Sequence, residues 1–378
     1  MTLSREELVR YNRQIILPNF GVAGQEKLKK ASILIIGAGG LGAPNLQYLT
    51  AAGIGRIGVI DFDEVSLSNL QRQVLFTTEE VGENKAATAI KKLQKLNPDT
   101  KFEGYETPID SSNALDIIAA YDLVVDGSDN LPTRYLVNDA CVLLSKPLIY
   151  GAIFRFEGQV SVFNQLLEDG SRGPNYRDIF PTPPPPAMVP SCSEGGVFGV
   201  LPGIIGAMQA NEAIKVITGM GDTLSGKLLL FDSLDFTSRY LNIRSNPENP
   251  VSGSSPTITV LIDYEAFCAG PALQEEVTES ITVRDFNQKR SEVFLLDVRE
   301  DYEYEISNLG GINIPLGAIE QRMNEIPKDR QVVVHCKSGA RSKQAIEKLK
   351  KAGYTQLLNL EGGIVAWQQQ IDNSLAVY

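Results

Sequence analysis

The chain has a single histidine, His335, among 378 residues. That scarcity excludes a histidine-rich metal centre, and it excludes a conventional Ser-His-Asp triad anywhere but at that one position. Cysteines are few, at positions 141, 192, 268 and 336, and too widely spread for a disulfide framework. Such usage fits a reducing, cytoplasmic setting. No apolar run approaches the ~18 residues that a membrane-spanning helix requires, so no membrane partner is expected. The opening MTLSREELVRYNRQ is charged and polar, unlike a secretory signal. Positive charge is in the minority, with 35 Lys and Arg against 46 Asp and Glu, for a formal net charge of −11. Nucleic acid is therefore not the expected partner.

What remains is an ordinary globular composition, 43% hydrophobic and 21% charged, in a chain long enough for two or three domains. Up to about Tyr150 strands and helices alternate. "ASILIIGAGG", "RIGVIDFD", "YDLVVDGSDN" and "KPLIYGAI" read as buried strands. "LGAPNLQYLTAAG" and "ENKAATAIKKLQKLNP" have helical periodicity, the latter with Pro98 just past its end. This alternation predicts an α/β fold, a Rossmann-like, mostly parallel sheet with crossover helices. "GPNYRDIFPTPPPPAMVPSC" is proline-rich and reads as an extended loop, and "GIIGAMQANEAIKVITG" is again helical. From about Ser245 to Glu279 the chain reads as irregular. A second alternating unit follows, through "VFLLDVRE", "GGINIPLG", "QVVVHCKSG", "ARSKQAIEKLKKAG" and "QLLNLEGGIVAW". The expected division is 1–270, a linker at 271–280, and a small α/β domain at 281–378.

Gly37, Gly39, Gly40 and Gly42 satisfy G-x-G-x-x-G between a strand and a helix, and Asp61 follows about 20 residues later. Backbone N–H groups and a helix N-terminus there can approach phosphates, while the acid binds a ribose hydroxyl. The motif alone does not separate NAD from ATP. The residues that follow do. Asn69, Arg72, Gln73 and Lys85, then Asp126, Asp129, Asn130 and Arg134, concentrate cations and carboxylates that hydride transfer does not need. Phosphoryl chemistry does need them, since Arg and Lys offset phosphate charge and Asp can hold Mg²⁺. ATP is the expected nucleotide.

With "RYNRQIIL", "GAGGLG", "LSNLQRQ", "SDNLPTRYLVND" and "PSCSEGGVFGVLPGIIGAMQANEAIK" in order, the chain over about residues 3–270 resembles the MoeB/ThiF family. These are bacterial relatives of ubiquitin-activating enzymes. The resemblance implies adenylation of the C-terminal glycine of a small ubiquitin-fold sulfur carrier, MoaD-like or ThiS-like. It implies that Asp61 holds ribose, with Asp63 and Asn130 in the same nucleotide-binding set. Arg72 and Lys85 would contact the triphosphate, assisted by Asn69 and Gln73, and Asp129 would bind Mg²⁺. Arg13 would reach the nucleotide of a partner subunit, which implies a homodimer. Cys192, between the proline-rich loop and the helix that follows, is a candidate nucleophile: a helix N-terminus favours a thiolate, and some family members link the carrier there.

The C-terminal unit, with "LLDVRE", "CKSGARS" and "EGGIVAW", resembles a rhodanese domain. Cys336, Lys337, Ser338, Gly339, Ala340 and Arg341 form a six-residue loop. Its small residues let backbone N–H groups point inward as an anion nest. That nest, the helix beginning near Arg341 and the arginine itself should favour a thiolate and hold a persulfide. The spacing is C-x₄-R, one residue shorter than a tyrosine-phosphatase loop, which favours sulfur transfer over phosphate chemistry. His335 should point to the opposite face of its strand as a satisfied structural residue.

One departure stands out. Many relatives carry two CxxC pairs that bind a structural zinc, where this chain has Asn175, Asp178, Asn249 and Ser252. Neutral Asn and Ser are poor zinc ligands, so no zinc is expected, and hydrogen bonds or packing must fix these loops instead. The resulting expectation is an enzyme, adenylyltransferase and sulfurtransferase, supplied by a persulfide donor such as a cysteine desulfurase. The fused rhodanese unit favours the molybdopterin pathway over thiamine. The rival is a nicotinamide-dependent oxidoreductase with a regulatory rhodanese module.

Overall fold

The computed structural model describes residues 3–184, 196–269 and 278–376. The chain divides into two compact units between Pro271 and Ala272.

In the first unit, β1 (Ser32–Ile36), β2 (Arg56–Ile60), β3 (Lys101–Tyr105), β4 (Leu123–Asp126) and β5 (Leu148–Phe154) pair in parallel, in the order β3-β2-β1-β4-β5. β1, β2 and β4 are buried almost throughout, as expected for strands covered on both faces. The sheet then turns antiparallel through β6 (Glu157–Phe163), β7 (Lys227–Asp232) and β8 (Thr237–Asn242), reaching eight strands. Those last three strands were not read from the sequence, because β6 and β7 lie on either side of the proline-rich segment and β8 is exposed along its whole length.

The helices follow their local signals. Helix Gly42–Ala52 ends on Gly53, whose φ of 89° is the left-handed cap that favours glycine. Helix Lys85–Leu96 is capped by Asn84, which accepts from the Ala87 N–H at 3.0 Å, and it buries Ala86, Ala89 and Leu93 along one face. The 18-residue helix Leu201–Thr218 crosses Gly42–Ala52 at close range. A Cβ at Gly206 would lie 2.7 Å from the Leu41 carbonyl, so glycine is required there. Gln209 on this helix is fully buried, donating to the Asp126 carbonyl at 2.7 Å and accepting from Asn45 at 3.0 Å. It thereby ties the end of β4 to the helix behind the glycine loop.

Two expectations about loops need correction. The proline-rich segment is not extended throughout: Tyr176–Ile179 is a helical turn, because Asn175 and Asp178 form a reciprocal capping box. The stretch after Ser245 is not wholly irregular, since Tyr264–Ala269 is helical.

The second unit is a five-stranded parallel sheet ordered β11-β10-β12-β13-β9. It comprises β9 (Ser280–Ile281), β10 (Phe294–Asp297), β11 (Ile312–Asn313), β12 (Val332–His335) and β13 (Leu357–Leu360). Helix Ala340–Lys351 follows β12 and buries Ala345, Ile346 and Leu349 against it. Among the described residues, no helix is long and apolar enough to cross a membrane.

Candidate active sites

The glycine loop joins β1 to helix Gly42–Ala52 and floors a cavity of about 320 Å³ at the carboxyl ends of β1, β2 and β4. Gly37 has φ 86°, and a Cβ at Gly42 would strike the Gly37 carbonyl at 1.9 Å. Gly42 therefore serves the turn itself and does not line the cavity, whereas Gly37, Gly39 and Gly40 do. Asp61, just past β2, accepts from the Ala38 N–H at 2.7 Å and the Asp63 N–H at 2.9 Å. Burial pushes its carboxyl above the usual carboxylate range, opposed by those donors and by Lys85.

Asp63, Arg72, Gln73, Lys85, Asp129 and Asn130 also line this cavity. Lys85 is nearly buried, and its Nζ lies 2.9 Å from Asp63 Oδ2. Arg72 Nη1 donates to the Ser68 carbonyl at 3.1 Å, and the Asn130 side chain caps helix Leu131–Leu143 through the Thr133 N–H at 2.9 Å. Among the described residues, two buried polar atoms, Gln73 Oε1 and Ser128 Oγ, have no hydrogen-bond partner. Buried polar groups are rarely left so, and a polar ligand would satisfy them.

Besides Gly42, three further residues singled out from the sequence are absent from the lining. Asn69 acts through its backbone carbonyl, which accepts from the Arg72 N–H at 3.0 Å and the Gln73 N–H at 2.9 Å and so shapes the turn that presents them. Arg13 sits exposed on the short helix Asn12–Ile15. Asp126 is fully buried, its carboxyl raised by that burial, and it accepts from the Ser128 N–H at 2.8 Å as a brace beneath the loop. Thr107, Pro108, Ile109, Ile153, Val197 and Glu265 also line the wall and were not singled out from the sequence, because no motif marks them.

In the second unit, Cys336 leaves β12 and is buried at the base of its loop. The Gly339 N–H reaches Sγ at 3.1 Å. The Ser342 hydroxyl lies 3.5 Å from Sγ and 2.6 Å from Asn359 Oδ1. The loop carbonyls are drawn outward: Cys336 O accepts from the Ile364 N–H at 3.0 Å and Lys337 O from the Val365 N–H at 3.2 Å. Gly363 permits this approach, since a Cβ there would meet the Cys336 carbonyl at 2.4 Å. With those carbonyls committed outward, the Gly339 N–H is the backbone donor at the sulfur, as an anion nest would place it. Gly339, at φ 111°, precedes helix Ala340–Lys351, which begins one residue before Arg341.

Two expectations change here. Arg341 is engaged by a carboxylate: Nη1 and Nη2 meet the two oxygens of Glu303, the latter pair at 2.9 Å. The hydrogen bonds that reach the sulfur come instead from Gly339 and Ser342. His335 is fully buried, but among the described residues neither ring nitrogen completes a hydrogen bond, and Nε2 lies 3.4 Å from Asp297 Oδ2. Burial holds its imidazole below the ordinary range, against the pull of Asp297. Cys192 lies outside the described residues.

The four positions expected to replace zinc ligands converge. Asn175 Nδ2 donates to Ser252 Oγ at 2.8 Å, and Asn249 Nδ2 donates to Asp178 Oδ1 at 2.8 Å and Asn175 Oδ1 at 3.2 Å. Asn249 Oδ1 in turn accepts from the Val251 and Ser252 N–H groups at 3.0 and 3.2 Å. The carboxylate and amides form a clasp that joins the two loops without a metal ligand set. Among the described residues no group of three or more His, Cys, Asp or Glu side chains is placed to hold a metal ion.

The ThiF family matches residues 11–251 and the rhodanese-like domain matches residues 282–370. The "Probable adenylyltransferase/sulfurtransferase MoeZ" of Mycobacterium tuberculosis is 46% identical over all of this chain and 96% of its own length. The "Adenylyltransferase and sulfurtransferase MOCS3" of Drosophila grimshawi is 43% identical over the whole chain and 87% of its own length. The "Sulfur carrier protein adenylyltransferase" of Thermus thermophilus is 58% identical over 71% of this chain and 99% of its own. Among solved structures, E. coli MccB superposes with a TM-score of 0.57 at 25% identity, covering 67% of this chain and 74% of that one. The chain belongs to the ThiF family and continues into a rhodanese-like domain.

Proposed function

We propose that this protein activates the C-terminal glycine of a small ubiquitin-fold sulfur carrier with ATP and then gives it sulfur from a Cys336 persulfide. The observation that carries the reading is one cavity lined by the glycine loop, Asp61, Arg72, Lys85 and Asp129. The chain is an enzyme, an adenylyltransferase and sulfurtransferase, as its full-length relatives are named. A carrier carboxylate attacks the α-phosphate and pyrophosphate leaves. The task of the protein is to align the two anions and offset their charge. Arg72 and Lys85 supply positive charge there, Gln73 supplies an amide, and Asp61 accepts from ribose. Asp129 offers the hard oxygen ligand that Mg²⁺ prefers, and the ion when bound neutralises phosphate charge. Arg13, exposed and outside its own cavity, would serve the nucleotide of a second copy in a homodimer.

The terminal sulfur of the Cys336 persulfide then attacks the acyl carbon, and AMP leaves with the bridging oxygen. A thiol must next take the Cys336 sulfur as a disulfide to free the thiocarboxylate, and Cys192 is the candidate within the chain. A cellular dithiol would then reduce that disulfide and be oxidised in turn, after which a cysteine desulfurase is the class of donor that would pass a new sulfane sulfur to the Cys336 thiol; molybdopterin synthesis is the favoured destination, ahead of thiamine. The oxidoreductase alternative has no use for a cavity that gathers Arg72, Lys85 and Arg134 with Asp129. Carrier-dependent exchange of labelled pyrophosphate into ATP tests the adenylation half. Exchange with a MoaD-like or ThiS-like carrier is expected, and ATP binding without exchange on any such carrier would overturn it.

A further inference from the structure

Beyond residue 251, where the ThiF match ends, the first unit adds the short helix Tyr264–Ala269. This helix is firmly held. The Tyr264 hydroxyl donates to Asp139 Oδ2 at 2.8 Å, and Asp139 also pairs with the fully buried Arg177 at 2.7 Å. The Phe267 ring stacks edge-on to Tyr135 at 5.3 Å and lies 4.8 Å from the Arg177 guanidinium. Just upstream, Ser111 Oγ donates to the Ile262 carbonyl at 2.5 Å. With Tyr264 and Phe267 anchored, the intervening Glu265 is fixed as part of the nucleotide cavity wall.

A carboxylate in a site for a triphosphate demands an explanation, because like charges repel at close range. ATP offers neutral donors at only two places, the ribose hydroxyls and the 6-amino group of adenine. Asp61 answers the ribose at the end of β2. The rest of the wall includes Thr107, Pro108 and Ile109, which follow β3, Ile153, Val197 and Glu265, and of these Glu265 alone carries a carboxylate that could accept from the base. Ile109 and Glu265 also border a second cavity beside the first, and Glu265 is exposed, so its charge stays partly hydrated at little cost.

We propose that Glu265 reads the nucleotide base by accepting a hydrogen bond from the adenine 6-amino group. The inference rests on the ATP reading above. It makes the segment beyond the matched family region a specificity element of the nucleotide site. The test deletes one partner at a time. Binding of ATP and of purine riboside triphosphate, which lacks the 6-amino group, is measured by calorimetry on the full chain with Mg²⁺. Wild type is expected to prefer ATP about tenfold, the scale of a charge-assisted hydrogen bond. Glu265→Ala should bind the two nucleotides within about twofold of each other, by weakening ATP alone. Glu265→Gln, which keeps an acceptor, should restore part of the preference. A preference that is unchanged in Glu265→Ala, with ATP still bound, overturns this inference and leaves the ATP reading intact. Failure of wild type to bind ATP overturns both.

Discussion

Glu303 grips Arg341 with both carboxylate oxygens, across 38 residues of sequence and at the edge of the sulfur-bearing loop. Glu303 is buried and its backbone carbonyl accepts from Arg299 at 3.3 Å, while Arg299 pairs with Asp297 at 2.6 Å. The loop arginine is thus oriented from the strand ends beneath it. Glu303→Ala would leave a guanidinium without its carboxylate at a largely buried position, a loss of about 3 kcal/mol. Thiosulfate sulfurtransfer should fall about tenfold, with Arg341→Ala/Glu303→Ala little worse than either single variant. Additive losses in that cycle would show that the two residues act separately.

The amide clasp makes its own prediction. Asn249→Ala removes donors to Asp178 and Asn175 and orphans the Val251 and Ser252 N–H groups. It should cost about 2–4 kcal/mol of stability, seen as a lower midpoint in urea. A strong chelator should leave the wild-type midpoint unchanged, and elemental analysis should find less than about 0.1 equivalent of zinc. A chelator-sensitive wild type would contradict the clasp.

His335 gives the second unit an acid-sensitive term. Burial lowers its folded pKa below the ordinary value, so the unfolded chain binds the proton first as pH falls. The neutral, buried form is stable at pH above about 6.5, and stability is lost from there down through the depressed folded pKa, at up to about 1.4 kcal/mol per pH unit. Denaturant titrations of wild type and His335→Leu between pH 7.5 and 5.5 should show this slope in wild type and a shallower one in the variant. Equal slopes would assign the acid sensitivity to other groups.

The two chemistries should separate by mutation. Asp129 lines the glycine-loop cavity of the first unit, and Cys336 sits in the second. Asp129→Ala should abolish carrier-dependent pyrophosphate exchange and leave thiosulfate sulfurtransfer near wild type. Equal loss of both in a folded variant would contradict the assignment of two sites.

Local signals were legible in the sequence. β1, β2 and β4 announce themselves as continuous apolar runs, and the glycine turn with Asp61 marks the cavity at the strand ends because its logic is local. The Cys336 loop is legible for the same reason. What escaped depends on contacts between distant segments. Glu303 finds Arg341 only when β10 and β12 pair, and Glu265 reaches the cavity only once Tyr264 finds Asp139. β8 was missed because a fully exposed strand has no burial pattern to read. The Glu303 partner of Arg341 was not legible because a loop sequence does not reveal which carboxylate its arginine will meet.

The central claim is that sulfur passes from Cys336 to the adenylated carrier. The Gly339 and Ser342 contacts to Sγ belong to a loop shaped by Gly363, so Cys336→Ala should fold normally and keep pyrophosphate exchange. The most direct measurement is the mass of the carrier after incubation with ATP and a persulfide donor. Wild type should add about 16 Da, oxygen replaced by sulfur, and Cys336→Ala should do so at least ~10³-fold more slowly. Efficient gain of that mass with the Cys336→Ala protein would contradict the account.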